Sequence, residues 1–153
     1  MKISVMGIEY NHLLSGKALA EMGNEVTYIS KDNKRINNIK RGYYNSDEAM
    51  VIKSLDVTDN IGFSADVKSA LSNTNMCFIS EGITNENHDN MEEILNTAKV
   101  VGENMSSHMF IIDRSDASQS RIGQIKDTIQ EALAKRNENI TFEVIANPDF
   151  LRA

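Results

Sequence analysis

The sequence predicts an α/β protein, a doubly wound parallel sheet of about six strands with helices on both faces. Short apolar runs alternate with segments of helical periodicity along the chain. The first run, Lys2 to Met6, leads into a turn at Gly7, the strand, turn and helix order that seats an anion on a helix N-terminus. No low-complexity linker or internal repeat interrupts the alternation, so the 153 residues read as one domain, 1–153.

Taken in order, Lys2 to Met6 is the first strand, and the helix after it carries Leu13, Leu14, Ala18, Leu19 and Met22 at helical spacing until Gly23 and Asn24 stop it. Glu25 to Ser30 is the second strand. Asp32 caps a helix running to about Lys40, with Ile36 and Ile39 inward and Gly42 at its end. Tyr43 to Asn60 receives no element. Ile61 to Ser64 is a short strand, about Ala65 to Leu71 a helix, and Met76 to Ser80 the next strand. Asn90 to Asn104 repeats Met91, Ile94, Leu95, Ala98 and Val101 helically, with Met105 just beyond. His108 to Ile112 is a strand, Ser118 to Arg136 a long amphipathic helix with Ile122, Ile125, Ile129, Ala132 and Leu133 inside, and Ile140 to Ile145 the last strand. The arrangement is Rossmann-like.

Composition excludes several classes. With 16 Lys and Arg against 22 Asp and Glu, the formal charge of −6 argues against nucleic acid or an anionic membrane as partner. No run approaches the ~18 apolar residues of a membrane span, and the opening is too soon polar for a signal peptide, so the expected address is cytoplasmic. The single cysteine, Cys77, lies within an apolar strand and reads as a core residue. His12, His88 and His108 lack the spacing of a metal site, and none is expected. The acidic pairs Asp47-Glu48 and Glu92-Glu93, and Asp56 with Asp59, read as solvated faces. The eight methionines read as gap fillers.

A more specific signal lies in ordered matches at both ends and the middle: Met1-Lys2-Ile3 with Val5 and Gly7, Leu19-Ala20-Glu21-Met22-Gly23-Asn24-Glu25-Val26-Thr27, Phe78-Ile79, and Asn147-Pro148-Asp149-Phe150-Leu151-Arg152, which holds the only proline. On these residues the chain resembles the N-terminal domain of the UDP-glucose/GDP-mannose dehydrogenase family, its UDP-glucose 6-dehydrogenase members in particular. The resemblance implies an NAD-binding domain of an enzyme that oxidises the C6 alcohol of a sugar nucleotide twice. It further implies a central helix and a C-terminal domain with a cysteine nucleophile and a lysine, both expected to be absent here. Cys77 does not match that cysteine.

Carried onto this chain, the resemblance implies cofactor contacts at Gly7, Tyr10, Asn11, Ser30, Lys31, Arg35, Gly82 and Ser115, and substrate contacts at Phe150, Leu151 and Arg152. Asp149 stands where the family has a catalytic glutamate, one methylene longer. Family glycines are replaced by Glu9, whose carboxylate would repel a diphosphate, and by His12, which would compensate only if protonated. Ser30 replaces the acid that accepts the ribose hydroxyls. Followed by Lys31, Lys34 and Arg35, it resembles the way related folds admit the 2′-phosphate of NADP, although the residues by themselves favour a solvated helix start. Glu81-Gly82-Ile83 replaces a Thr-Pro-Thr turn, and Ser115 a threonine.

The expected function is therefore a truncated, catalytically incomplete homologue of this NAD-binding domain with weak or lost dinucleotide binding. Two alternatives stand beside it: a noncatalytic interaction module, as a homodimer near Phe150 and Leu151 or docked on a separate dehydrogenase chain, and a binder of another nucleotide such as NADP. A nucleotide or sugar nucleotide is the expected ligand.

Overall fold

The computed structural model describes residues 1–41, 60–80, 91–114 and 119–146. Among them, six strands form one parallel sheet: β1 (Lys2–Met6), β2 (Glu25–Ile29), β3 (Ile61–Ser64), β4 (Met76–Ser80), β5 (Met109–Asp113) and β6 (Phe142–Ala146), in the order β3-β2-β1-β4-β5-β6. The winding reverses between β1 and β4, and it is at such a switch point, beyond the carboxyl ends of the strands, that ligands bind in open α/β sheets.

Among the described residues, five helices cover it: α1 (Tyr10–Glu21), α2 (Asn33–Lys40), α3 (Val67–Leu71), α4 (Met91–Asn104) and α5 (Gln119–Lys135). Helices α1 and α2 enclose one core, built from Ile3, Val5, Leu13, Tyr28, Ile36, Ile39 and Phe78. Helices α3, α4 and α5 enclose the other, built from Leu71, Cys77, Val101, Met105, Ile111, Ile125 and Ile129. Successive side chains of a strand point to opposite faces, so a strand covered on both sides needs apolar residues throughout. The strand sequences ISV, CFI and FII meet that need, with the hydroxyl of Ser4 satisfied at 2.8 Å by the buried Thr74.

The caps explain the helix limits. Asp32 accepts from the Arg35 amide at 3.0 Å and starts α2, as its sequence position suggests. Asp66 does the same for α3 through the Ser69 amide. Gly23, at φ +98°, ends α1 in a conformation that few other residues adopt; the Asn60 amide group then donates to the carbonyls of Ala20 and Asn24. The expected stop at Gly42 lies outside the described residues, and Arg41 is the residue that closes α2.

Several sequence expectations need adjustment, among them the last strand, which runs Phe142–Ala146 and not Ile140 to Ile145. Helix α1 begins at Tyr10, before its apolar repeat, and it buries Leu13, Gly16, Leu19 and Ala20 while Leu14, Ala18 and Met22 face outward. Strand β5 runs one residue past Ile112, because Asp113 pairs with Ala146 of β6 and its carboxylate is held by a buried arginine.

Candidate functional site

The site begins where β1 ends. Gly7 takes φ +142°, which L side chains rarely adopt, and its N–H donates to the Ile29 carbonyl at 2.9 Å, tying the turn to β2. Helix α1 starts with Glu9 as its N-cap. Four amides at a helix start lack partners within the helix and are the donors that an anion would use. Here the Glu9 N–H donates to Nδ1 of His12 at 3.1 Å. The imidazole lies between the first turn of α1 and Gly7, in the space that a Cβ on Gly7 would enter.

An imidazole that accepts on Nδ1 is neutral and carries its proton on Nε2. Burial favours the same state, lowering the His12 pKa from 6.5 to about 4. The cation that would have compensated for the lost glycine is thus absent at neutral pH. The Glu9 side chain is exposed at the helix start.

Beside this turn lies a cleft of about 340 Å³, at the carboxyl ends of β1 and β2 and along the first turns of α4. Among the described residues, Met6, Ile29, Val67 and Val100 give it apolar walls, and Gly7, Ser30, Lys31, Glu93, Asn96 and Thr97 also line it. The Ser30 Oγ accepts from the Asp32 N–H at 3.1 Å, which leaves the hydroxyl proton for donation. Arg35 does not line the cleft. Its Nη2 donates to the Ile8 carbonyl at 3.2 Å, so the Ser30, Lys31 and Arg35 cluster expected from the sequence is divided.

Of the other expected cofactor residues, Gly7 is in place, Tyr10 opens α1, and Asn11 is half-buried in its first turn. Gly82, Ser115, Asp149, Phe150, Leu151 and Arg152 lie outside the described residues, as do the acidic positions 47, 48, 56 and 59.

Three features escaped the sequence reading. Glu93, expected on a solvated face, is exposed but contributes to the cleft. Gly16 packs on Tyr28, whose hydroxyl donates to the Leu13 carbonyl at 2.7 Å. Arg121 of α5 binds Asp113 through Nε at 2.7 Å and Nη2 at 3.3 Å, an ion pair buried at the carboxyl end of β5. Its neighbour Arg114 reaches the Ser15 hydroxyl of α1 at 2.6 Å. Only a two-residue reading of Asp113 with Arg121 across a loop could have suggested that pair.

Cys77 is fully buried, and burial pushes its thiol up to about 12. His108 bonds Thr141 at 2.7 Å and meets the Phe110 ring edge-on. No group of three potential metal ligands occurs among the described residues, and no described helix is long and apolar enough to cross a membrane.

These residues fit a dinucleotide unequally. The cleft suits a nucleoside end, having apolar walls and a few polar groups. The helix start does not suit the pyrophosphate, because His12 occupies one of its donors and Glu9 adds negative charge.

The comparisons bear on the ancestry of this arrangement. The model of the UDP-glucose/GDP-mannose dehydrogenase family, NAD binding domain, matches residues 1–153. The chain is 26% identical over 156 residues to UDP-glucose 6-dehydrogenase TuaD of Bacillus subtilis, covering 99% of this chain and 33% of that protein. It is 24% identical to the UDP-glucose 6-dehydrogenase of Pseudomonas aeruginosa, covering 99% of this chain and 35% of that protein. The chain thus spans about a third of the length of these relatives. In fold it is similar to a UDP-glucose dehydrogenase of Pyrobaculum islandicum, with TM-score 0.73 and 18% identity over 99% of this chain and 36% of that one. It is also similar to a GDP-mannose dehydrogenase of Pseudomonas aeruginosa, with TM-score 0.72 and 19% identity over 95% of this chain and 35% of that one. The chain belongs to the UDP-glucose/GDP-mannose dehydrogenase family, matching the NAD-binding domain of that family from end to end.

Proposed function

We propose that this chain is a dinucleotide-binding-type domain whose hold on NAD is weak and which oxidises no sugar nucleotide by itself. The observation that carries the reading is the bond from the Glu9 N–H to His12, with the ring wedged beside Gly7. A diphosphate arriving at this helix start must displace an internal acceptor and approach the Glu9 carboxylate. The macrodipole supplies only about 0.3–1 kcal/mol toward an anion at an exposed helix end, too little to offset both costs.

The catalytic part of the proposal rests on Cys77. It is the one cysteine of the sequence, and a thiol raised to about 12 within the core supplies no thiolate to a sugar aldehyde. A covalent step would need a cysteine from another chain or segment. On this reading Asp149, Phe150, Leu151 and Arg152 are inherited substrate-side residues, and UDP-glucose is the sugar nucleotide to try. NADP is the less favoured dinucleotide, since Arg35 is engaged at the turn and leaves Lys31 as the cation among the described residues of the cleft.

Calorimetric titration of the chain with NAD, NADP and UDP-glucose tests the reading. NAD is expected to bind no tighter than millimolar and His12→Gly to tighten it. Saturable micromolar NAD binding by the unaltered chain would overturn the proposal.

A further inference from the structure

We infer that β6 is an association edge, and that a second copy of this chain pairs with it antiparallel across a two-fold axis at Val144. The inference goes beyond the proposed function and does not depend on it, since neither the start of α1 nor the cleft includes β6.

Position in the sheet is the first observation. β6 ends the order β3-β2-β1-β4-β5-β6, and among the described residues no strand lies beyond it. In the neighbouring β5 the side chains of Met109, Ile111 and Ile112 are buried. Phe142, Val144 and Ile145 of β6 pack on the same two cores but are only half-buried, because their outer flank has no strand beside it. An unpaired edge presents a row of amide and carbonyl groups that another strand can use.

The register says which groups those are. The Phe110 N–H donates to the Asn75 carbonyl at 2.9 Å, so the backbone groups of Phe110 face β4 and those of Ile111, its neighbour, face β6. Ile111 stands opposite Val144, and in a parallel ladder it bonds the residues on either side of its opposite number. Glu143 and Ile145 therefore turn their backbone groups toward β5. Phe142, Val144 and Ala146 turn theirs outward.

The two edges of the sheet differ in what they offer. β6 is five residues of aromatic, β-branched and small side chains with one charge, Glu143, and with neither glycine nor proline. β3, at the other edge, is four residues long and is interrupted by Gly62, which weakens a strand.

A second copy fits because β6 is complementary to itself. An axis at Val144 sets Val144 opposite its counterpart and Phe142 opposite the second copy's Ala146, the outward-facing residues that exchange hydrogen bonds in an antiparallel pair. Glu143 then meets Ile145, so no like charges stand directly opposite. Such an interface uses the same patch twice and closes on two copies. Phe142 also lines a cavity of about 430 Å³ with Leu133, Ala134 and Ile140, which continues the apolar surface on the α5 side of the edge.

The experiment is sedimentation equilibrium of the whole 153-residue chain from micromolar to millimolar concentration, with amide hydrogen exchange followed by NMR over the same range. The mass should rise from that of one chain toward that of two. The amides of Phe142 and Val144 should become protected as it rises, while those of Glu143 and Ile145 are protected throughout. Val144→Pro deletes an outward N–H and leaves the bonds to β5, so it should raise the dimer Kd about tenfold or more. Val144→Lys, which sets two cations opposite each other at the axis, should do the same. Where either variant fails to fold, the amide protection of the unaltered chain decides. A chain that stays monomeric over the whole range overturns the inference. So does a dimer that leaves the Phe142 and Val144 amides exchanging as in the monomer, or one that folded Val144→Pro and Val144→Lys chains form unchanged, since its interface would lie elsewhere.

Discussion

Tyr28 of β2 reaches beneath Gly16 of α1, and its hydroxyl donates to the Leu13 carbonyl at 2.7 Å, so the phenol occupies the space that a side chain at residue 16 would need. In the related folds the close approach of helix to sheet is made by a glycine in the first turn. This chain has His12 there, and the close approach falls one turn later.

Gly16→Ala should therefore cost about 1–3 kcal/mol through overpacking. Tyr28→Phe alone should cost about 0.5–1.5 kcal/mol for the lost hydrogen bond. Combined, the two should cost less than their sum, since the hydroxyl is among the atoms that the new methyl meets. Urea unfolding of the four proteins decides it, and strict additivity would count against the packing account.

Acid should weaken the fold through His12. Above the unfolded pKa of 6.5 the ring is neutral in both states; between 6.5 and about 4 only the unfolded chain takes the proton, so stability falls as pH falls. The loss should approach about 3 kcal/mol below the folded value, because each tenfold difference in proton affinity between the two states is worth about 1.4 kcal/mol. The slope of stability against pH across this window, measured for the chain and for His12→Gln, should be shallower in the variant. The same variant keeps a side-chain acceptor beside the Glu9 amide but cannot be charged.

The Asp113 and Arg121 pair should behave as a buried ion pair. Asp113→Asn should cost about 3–5 kcal/mol, because the buried guanidinium then loses the charge of the carboxylate it binds through Nε and Nη2. Replacing both with Leu and Met should recover most of that loss. A thermal melt in which the double variant is as weak as the single one would contradict this account.

Cys77 should be silent to an aromatic disulfide reagent in the folded chain and react fully in denaturant. Its burial and a thiol at about 12 both predict this. The rate of reaction under native conditions then reports opening of the sheet core. A thiol titrating rapidly in the fold would remove the argument against it as a nucleophile.

Much of the architecture was legible in the residues. The runs at Lys2–Met6, Ile61–Ser64 and Met76–Ser80 form strands with the expected limits; the central two carry the apolar run that a strand buried on both faces needs, while Ile61–Ser64 is a half-buried edge strand. Asp32 marked the start of α2, because a cap is a local interaction between a side chain and an amide three residues on. The start of α1 was less visible: its first turn is polar and is held by the His12 bond to the Glu9 amide, which no hydrophobic repeat announces.

The sequence by itself determined the alternation of strand and helix, the burial of Cys77 within an apolar strand, and the replacement of glycines by Glu9 and His12, because these depend on local pattern and residue type. Tertiary structure decided what those replacements do. Whether His12 would serve as a cation or a neutral wedge depended on its burial beside Gly7, and whether Glu93 was a solvated charge or a cleft residue depended on α4 packing beside β1 and β2. The charge state of a side chain and the company it keeps are set by the dielectric and the neighbours that folding brings together, which residues far apart in the chain cannot specify singly.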